Sequence, residues 1–146
     1  MPANNRCTLR YLAQQASAVF KDSRQGKQWL HNTRNVRLNY KKPIDLIRYS
    51  SLKPEYILTE LYIDAAQDNS LFSRETYAER VERIKKMAGL VHNFDEVART
   101  RWLDQPSPFD GNKNPRTLLQ TARGTRLIED ALTDTHVNKI KKYSHG

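Results

Sequence analysis

Apolar residues in this chain recur three and four positions apart, the spacing that gathers side chains on one face of an α-helix, and the same succession occurs twice. In the first half Leu9, Leu12, Ala16 and Phe20 recur in this way, followed by Trp29-Leu30, then Pro43 and the pair Leu46-Ile47. In the second half Ile84, Met87, Val91 and Phe94 recur, followed by Trp102-Leu103, then Pro115 and the pair Leu118-Leu119. Each half closes on an apolar stripe, Ile57, Leu58 and Leu61 in one and Leu127, Ile128 and Ala131 in the other. The offset drifts from 75 residues at Leu9/Ile84 to 74 at the Phe pair, 73 at the Trp pair, 72 at the Pro pair and 70 at Ile57/Leu127. Every step of the drift falls between elements, where insertions are tolerated.

The pattern predicts, in each unit, a longer helix, a Trp-bearing helix, a loop, a short proline-started helix and a closing helix. Asn114-Pro115 reads as an N-cap followed by proline at the first helical position, where its missing N–H costs nothing. Lys42-Pro43 opens the equivalent helix with a poorer cap, and Thr121 and Ser51 are expected to cap the closing helices. Ser73 followed by Glu75 is expected to start the longest helix, running to about His92. Only residues 35–40 alternate as a strand would, and briefly. The expected fold is all-α: two tandem small helical units packed into one compact domain. The boundaries are a first unit over 1–72, a second over 73–135 and a basic C-terminal tail over 136–146.

Composition narrows what these helices do. Leu, Ile, Val and Phe number 32 of the 146 residues, enough for a thin core. A single cysteine, Cys7, excludes an intrachain disulfide or a cysteine-based zinc site. No apolar run is long enough for a membrane span, and the first residues lack the apolar stretch of a secretory signal, so a reducing cytoplasm is the expected location. Five glycines build no phosphate-cradling loop. The four histidines show no metal-ligand spacing. No nucleophile sits in a motif that would activate it. Neither an enzyme nor a cofactor or metal is expected. Trp29 and Trp102 are expected to anchor the cores of their units.

Residues 98–132, ARTRWLDQPSPFDGNKNPRTLLQTARGTRLIEDAL, resemble the C-terminal toxin-binding domain of the Xre/MbcA/ParS-like antitoxins. The resemblance rests on Trp102-Leu103, on Pro106-Ser107-Pro108 with Gly111, on Pro115 with Leu118-Leu119, on Thr121 with Gly124, and on Ile128-Glu129-Asp130 with Leu132. The first half is similar to a worn second copy that keeps Trp29-Leu30, Pro43 and Leu46-Ile47. It departs where Pro54 stands in place of Gly124 and where Asn39-Tyr40 replaces the glycine-bearing loop.

The resemblance implies inhibition by binding. Partners of such domains are RES-domain toxins that consume NAD, and the antitoxin covers the toxin's active-site cleft. Carried to this chain, the toxin-facing residues would be Arg123, Arg126, Glu129 and Asp130 on the closing helix and Lys139, Lys141, Lys142 and Tyr143 on the tail. Val137, Ile140 and Tyr143, three apart, would form one amphipathic turn against a partner. Deleting everything after Thr135 would then leave the fold intact and release the toxin.

The charge points to an alternative, a basic helical nucleic-acid-binding or regulatory protein. Lys plus Arg is 25 against 16 Asp plus Glu, a net +9. Lys21, Arg24, Lys27, Arg34, Arg37, Lys41 and Lys42 crowd the first unit with Trp29 and Tyr40 interleaved. Residues 1–73 carry a net +5 and residues 74–146 a net +4, so neither half reads as a DNA-binding arm. With no helix-turn-helix evident, any DNA contact is expected to be weak and salt-sensitive.

Overall fold

The computed structural model describes residues 2–50, 52–67, 72, 74–106 and 111–144, with side chains described from Leu9 to Lys141 apart from Val36. Among the described residues the chain is all-α: eight α-helices, one 3-10 turn and a lone antiparallel bridge between Asn35 and Lys41. It divides into two units. One comprises Met1–Leu71 together with Val137–Gly146, the other Phe72–His136.

In the first unit, α1 (Pro2–Phe20) and α2 (Ser23–Asn32) form a tight helical corner. Lys21 takes the left-handed conformation (φ 55°), and the Asp22 side chain accepts from the Arg24 and Gln25 amides at 2.8 and 3.2 Å, capping α2. The two helices meet at Gly26, where a β-carbon would stand 2.6 Å from the Ser17 backbone nitrogen. Only glycine permits that approach. The 3-10 turn Val36–Leu38 leads to α3 (Pro43–Tyr49) and α4 (Pro54–Ala66), each started by proline. Leu12, Ala16, Trp29, Leu30, Ile44, Ile47, Ile57 and Leu61 are buried. The periodic pattern therefore marks a core.

Two expectations change here. The cap of α4 is Lys53, without a side-chain hydrogen bond, because Pro54 occupies the first helical position; Ser51 lies outside the described residues. Within the alternating residues 35–40, Val36–Leu38 form the 3-10 turn, because the Asn35 side chain accepts from the Arg37 amide (2.9 Å) and so closes the backbone.

The second unit repeats the order with α5 (Tyr77–His92), α6 (Glu96–Leu103), α7 (Pro115–Leu118) and the start of α8 (Ala122–Ser144). The α5 helix begins later than expected, at a capping box in which Thr76 accepts from the Glu79 amide and Glu79 accepts from the Thr76 amide. Ser73 lies outside the described residues. Asn114 caps α7 through the Thr117 amide (2.8 Å), and Thr121 accepts from the Gly124 amide (2.9 Å) to open α8. A β-carbon at Gly124 would lie 2.0 Å from the Leu118 carbonyl oxygen, so the α7–α8 corner closes only over glycine. Val81, Ile84, Met87, Val91, Leu103, Leu118, Leu119 and Ile128 are buried around it.

At 23 residues α8 is longer than α1 at 19 and α5 at 16, so the longest helix is not the one expected. It runs without interruption through residues 136–144 of the segment expected as a separate tail. Their segment, Val137–Gly146, groups with the first unit. Ile140 is only 4% exposed, so it belongs to a packed interior rather than to a free amphipathic turn.

Candidate functional site

The residues that the resemblance points to all fall on α8. Arg123, Arg126 and Asp130, three and four apart, are exposed on one face, while Thr125, Ile128 and Leu132 are buried on the other. Glu129 is already engaged. Its carboxylate accepts from Arg83 Nη1 at 2.9 Å, and Arg83 also donates from Nε and Nη2 to Glu75 at 2.7 and 3.0 Å. The Arg83 guanidinium lies 4.0 Å from the centre of the Phe72 ring. Burial works against the charge on Arg83, yet the hydrogen bonds and charges of Glu75 and Glu129 outweigh it and hold the guanidinium more firmly protonated. Glu129 is thus engaged within the second unit.

Lys139 is half-buried and Lys141 exposed, and both have partners within the chain. The side chains of Lys142 and Tyr143 lie outside the described residues, as do Ser107 and Pro108. The structural members of the motif have identifiable work. Pro115, Leu118 and Leu119 are buried, Gly124 closes the corner, and Gly111 (φ 61°) with Asn112 (φ 59°) turns the preceding loop in left-handed conformations. Trp102 is half-buried, less enclosed than Trp29. It lines a cavity of about 90 Å³ with His92, Ile128, Leu132 and Thr135.

Trp29 does anchor its unit, and it leads to a group of residues that sequence reasoning left unconnected. Its indole Nε1 donates to Asp64 Oδ2 at 2.8 Å. Asn35 Nδ2 donates to Glu60 Oε2 at 2.7 Å and to Asp64 Oδ2 at 3.3 Å. Arg37 spans both carboxylates, with Nε on Glu60 at 2.7 Å and Nη2 on Asp64 Oδ1. Glu60 is fully buried. Burial pushes the Asp64 carboxyl above its ordinary range, against the pull of the Trp29 hydrogen bond and the Arg37 charge. Burial opposes the Arg37 charge as well, but Glu60 and Asp64 together hold the guanidinium more firmly protonated.

The sequence held one part of the signal, two carboxylates set among the apolar residues Ile57, Leu58, Leu61 and Ile63. Glu60 and Asp64 sit four apart inside a helix whose residues 57–63 are buried throughout, so both carboxylates required cationic or donor partners.

The network forms one wall of an open cleft of about 530 Å³, contributed by Trp29, Asn35, Arg37 and Asp64. The remainder of the lining includes Phe20, the carboxamides of Gln25, Gln28 and Gln67, and Arg34. Arg34 donates from Nη1 to the Tyr40 carbonyl oxygen at 3.2 Å. Two carboxylates face one guanidinium in the wall, with each oxygen of Asp64 already accepting. Further hydrogen-bonding groups in the lining are the carboxamides, Thr33 and Arg34.

The charge is not spread as the halves of the sequence suggested. With Val137–Gly146 counted where the structure groups it, the first unit carries 14 Lys and Arg against 6 Asp and Glu, a net +8. The second unit carries 11 against 10, a net +1. Among the described residues no group of three or more His, Cys, Asp or Glu side chains is placed to hold a metal ion, and no helix is long and apolar enough to cross a membrane. No protein-family model, characterised protein or solved structure matches this chain.

Proposed function

We propose that this chain is a non-enzymatic, antitoxin-type binding protein of the cytoplasm, which neutralises a NAD-consuming RES-type toxin by covering its active-site cleft. The reading rests on the resemblance of residues 98–132, and one observation gives it physical content. The motif residues Pro115, Leu118, Leu119, Thr121 and Gly124 are consumed in building the α7–α8 corner, which leaves Arg123, Arg126 and Asp130 exposed in a row on a rigid helix. A stripe with two guanidinium groups on a preformed element suits recognition of an acidic protein surface at small entropic cost. Glu129 supports that helix through Arg83.

The test is co-expression with a RES-type toxin, reading cellular NAD. The intact chain is expected to preserve NAD. The double variant Arg123→Glu/Arg126→Glu is expected to fold with unchanged helicity and to lose protection, since reversed charges at a matched interface cost several kcal/mol. Full protection by that variant would remove the Arg123 and Arg126 stripe from the mechanism. Deletion after Thr135 is not a clean test, because it removes buried Ile140 along with the basic residues.

A further inference from the structure

The most exposed aromatic side chains of the described structure are tyrosines of the first unit: Tyr11 at 49%, Tyr40 at 62% and Tyr49 at 79%. Each stands beside a basic residue in the chain, Arg10-Tyr11, Tyr40-Lys41 and Arg48-Tyr49, and these three basic side chains are also exposed. Water-facing rings gain nothing for folding, and they coincide with the unit that holds nearly all of the molecule's net charge.

Tyr40 is held in place with particular firmness. It follows Asn39 in the left-handed conformation, at φ 57° and 60°, a region that bulky residues rarely occupy. Its amide donates to the Asn35 carbonyl oxygen at 2.7 Å, and its own carbonyl accepts from Arg34. Asn35 and Arg34 both line the cleft, so the backbone of Tyr40 is tied to two residues of the lining. Lys41 follows directly, tied by the bridge to Asn35. A strained backbone thus holds an exposed ring and the adjoining Lys41 in the segment tied to Arg34 and Asn35, which line the cleft together with Gln25, Gln28 and Gln67.

We propose that this cleft and the Tyr40-Lys41 segment tied to it bind single-stranded nucleic acid. A base stacks on Tyr40, Arg34 and Lys41 meet the adjoining phosphates, and Gln25, Gln28 and Gln67 hydrogen-bond the edge of an unstacked base. Carboxamides offer a donor and an acceptor side by side, the arrangement that matches base edges. Stacking serves every base, so the site discriminates by strandedness more than by sequence. The site is separate from the α8 stripe and does not depend on the antitoxin reading.

The experiment is a fluorescence-anisotropy titration of the full chain against a labelled oligothymidylate of about 12 nucleotides, within the usual span of such sites, at several salt concentrations. Saturable binding that weakens with salt, by a log–log slope of about −0.7 per phosphate contacted, is expected. Tyr40→Ala is expected to weaken binding about tenfold while leaving the salt slope unchanged, and Tyr40→Phe to retain affinity. Arg34→Gln is expected to reduce the slope by about 0.7. Arg123→Glu/Arg126→Glu, which tests the toxin-facing stripe, is expected to leave oligonucleotide affinity unchanged.

Absence of binding at low salt, or a Tyr40→Ala variant that binds like the parent, would overturn the proposal. A duplex of equal length bound as tightly as the single strand would overturn it too. Equal binding of a glutamate-rich peptide with the same dependence on Arg34 and Tyr40 would reassign the cleft to an acidic protein segment.

Discussion

Glu60 is the residue on which the first unit is most exposed to damage. Its buried carboxylate accepts from Arg37 and Asn35, and replacing it by Leu strands the Arg37 guanidinium and the Asn35 amide in a largely dry wall. Breaking one side of a buried pair typically costs about 3–5 kcal/mol, so Glu60→Leu is expected to lower the urea midpoint sharply. Replacing Arg37 by Met in the same molecule is expected to restore part of the loss, which a double-mutant cycle measures directly. Asp64 gives the complementary pH signature. Its carboxyl is raised above the ordinary 3.8 in the folded protein, so the folded state holds that proton more tightly than the unfolded chain does. Its stabilising contribution is therefore present below the unfolded value and declines as pH rises through the folded one. The stability of the parent relative to Asp64→Asn is accordingly expected to fall between acid and neutral pH, as followed by urea unfolding at each pH. A difference that grows with pH would contradict the burial argument.

Among the elements, what the sequence made legible was whatever rests on local chemistry. Periodicity placed α1, α2, α5 and α6, and prolines with their caps placed α3 and α7, because each signal is a property of adjacent residues. The errors have physical origins of the same kind. The capping box at Thr76 and Glu79 competes with Ser73, and two reciprocal hydrogen bonds prevail over a lone serine. Pro54 fixes the start of α4 without needing a side-chain cap. Helix α8 continues past Thr135 because Ile140 finds a packed environment, which no local pattern reveals. The same limit hid the cleft: Trp29 and Arg37 lie 35 and 27 residues from Asp64 and meet it only through the fold. The helical corner of α1 and α2 is a sensitive test of that folding. Gly26→Ala places a β-carbon against the Ser17 backbone, which cannot yield as a flexible side chain would. A loss of about 1–3 kcal/mol is expected by urea unfolding, with Lys27→Ala on the exposed face changing stability by less than about 0.5 kcal/mol.

At the scale of the whole molecule, the decisive fact is where the last ten residues belong. A division at the chain midpoint made the +9 charge look even, whereas the structure groups Val137–Gly146 and its three lysines with the first unit. That grouping makes the first unit strongly basic and the second nearly neutral, which separates a site for an anionic ligand from the α8 stripe of the second unit. It also predicts where damage to the end of α8 will be felt. Ile140 is buried, and Ile140→Ala is expected to cost about 2–4 kcal/mol through lost burial and the cavity left behind. Hydrogen exchange read by mass spectrometry locates the effect. Protection is expected to fall in helices of the first unit, α4 among them, while residues 81–91 of α5 exchange at the parent rate. Loss of protection confined to the end of α8 would mean that these residues are an appendage with little bearing on the unit. Equal loss in α4 and α5 would mean that the two units open together, and the charge of the first could not then be treated as a local property.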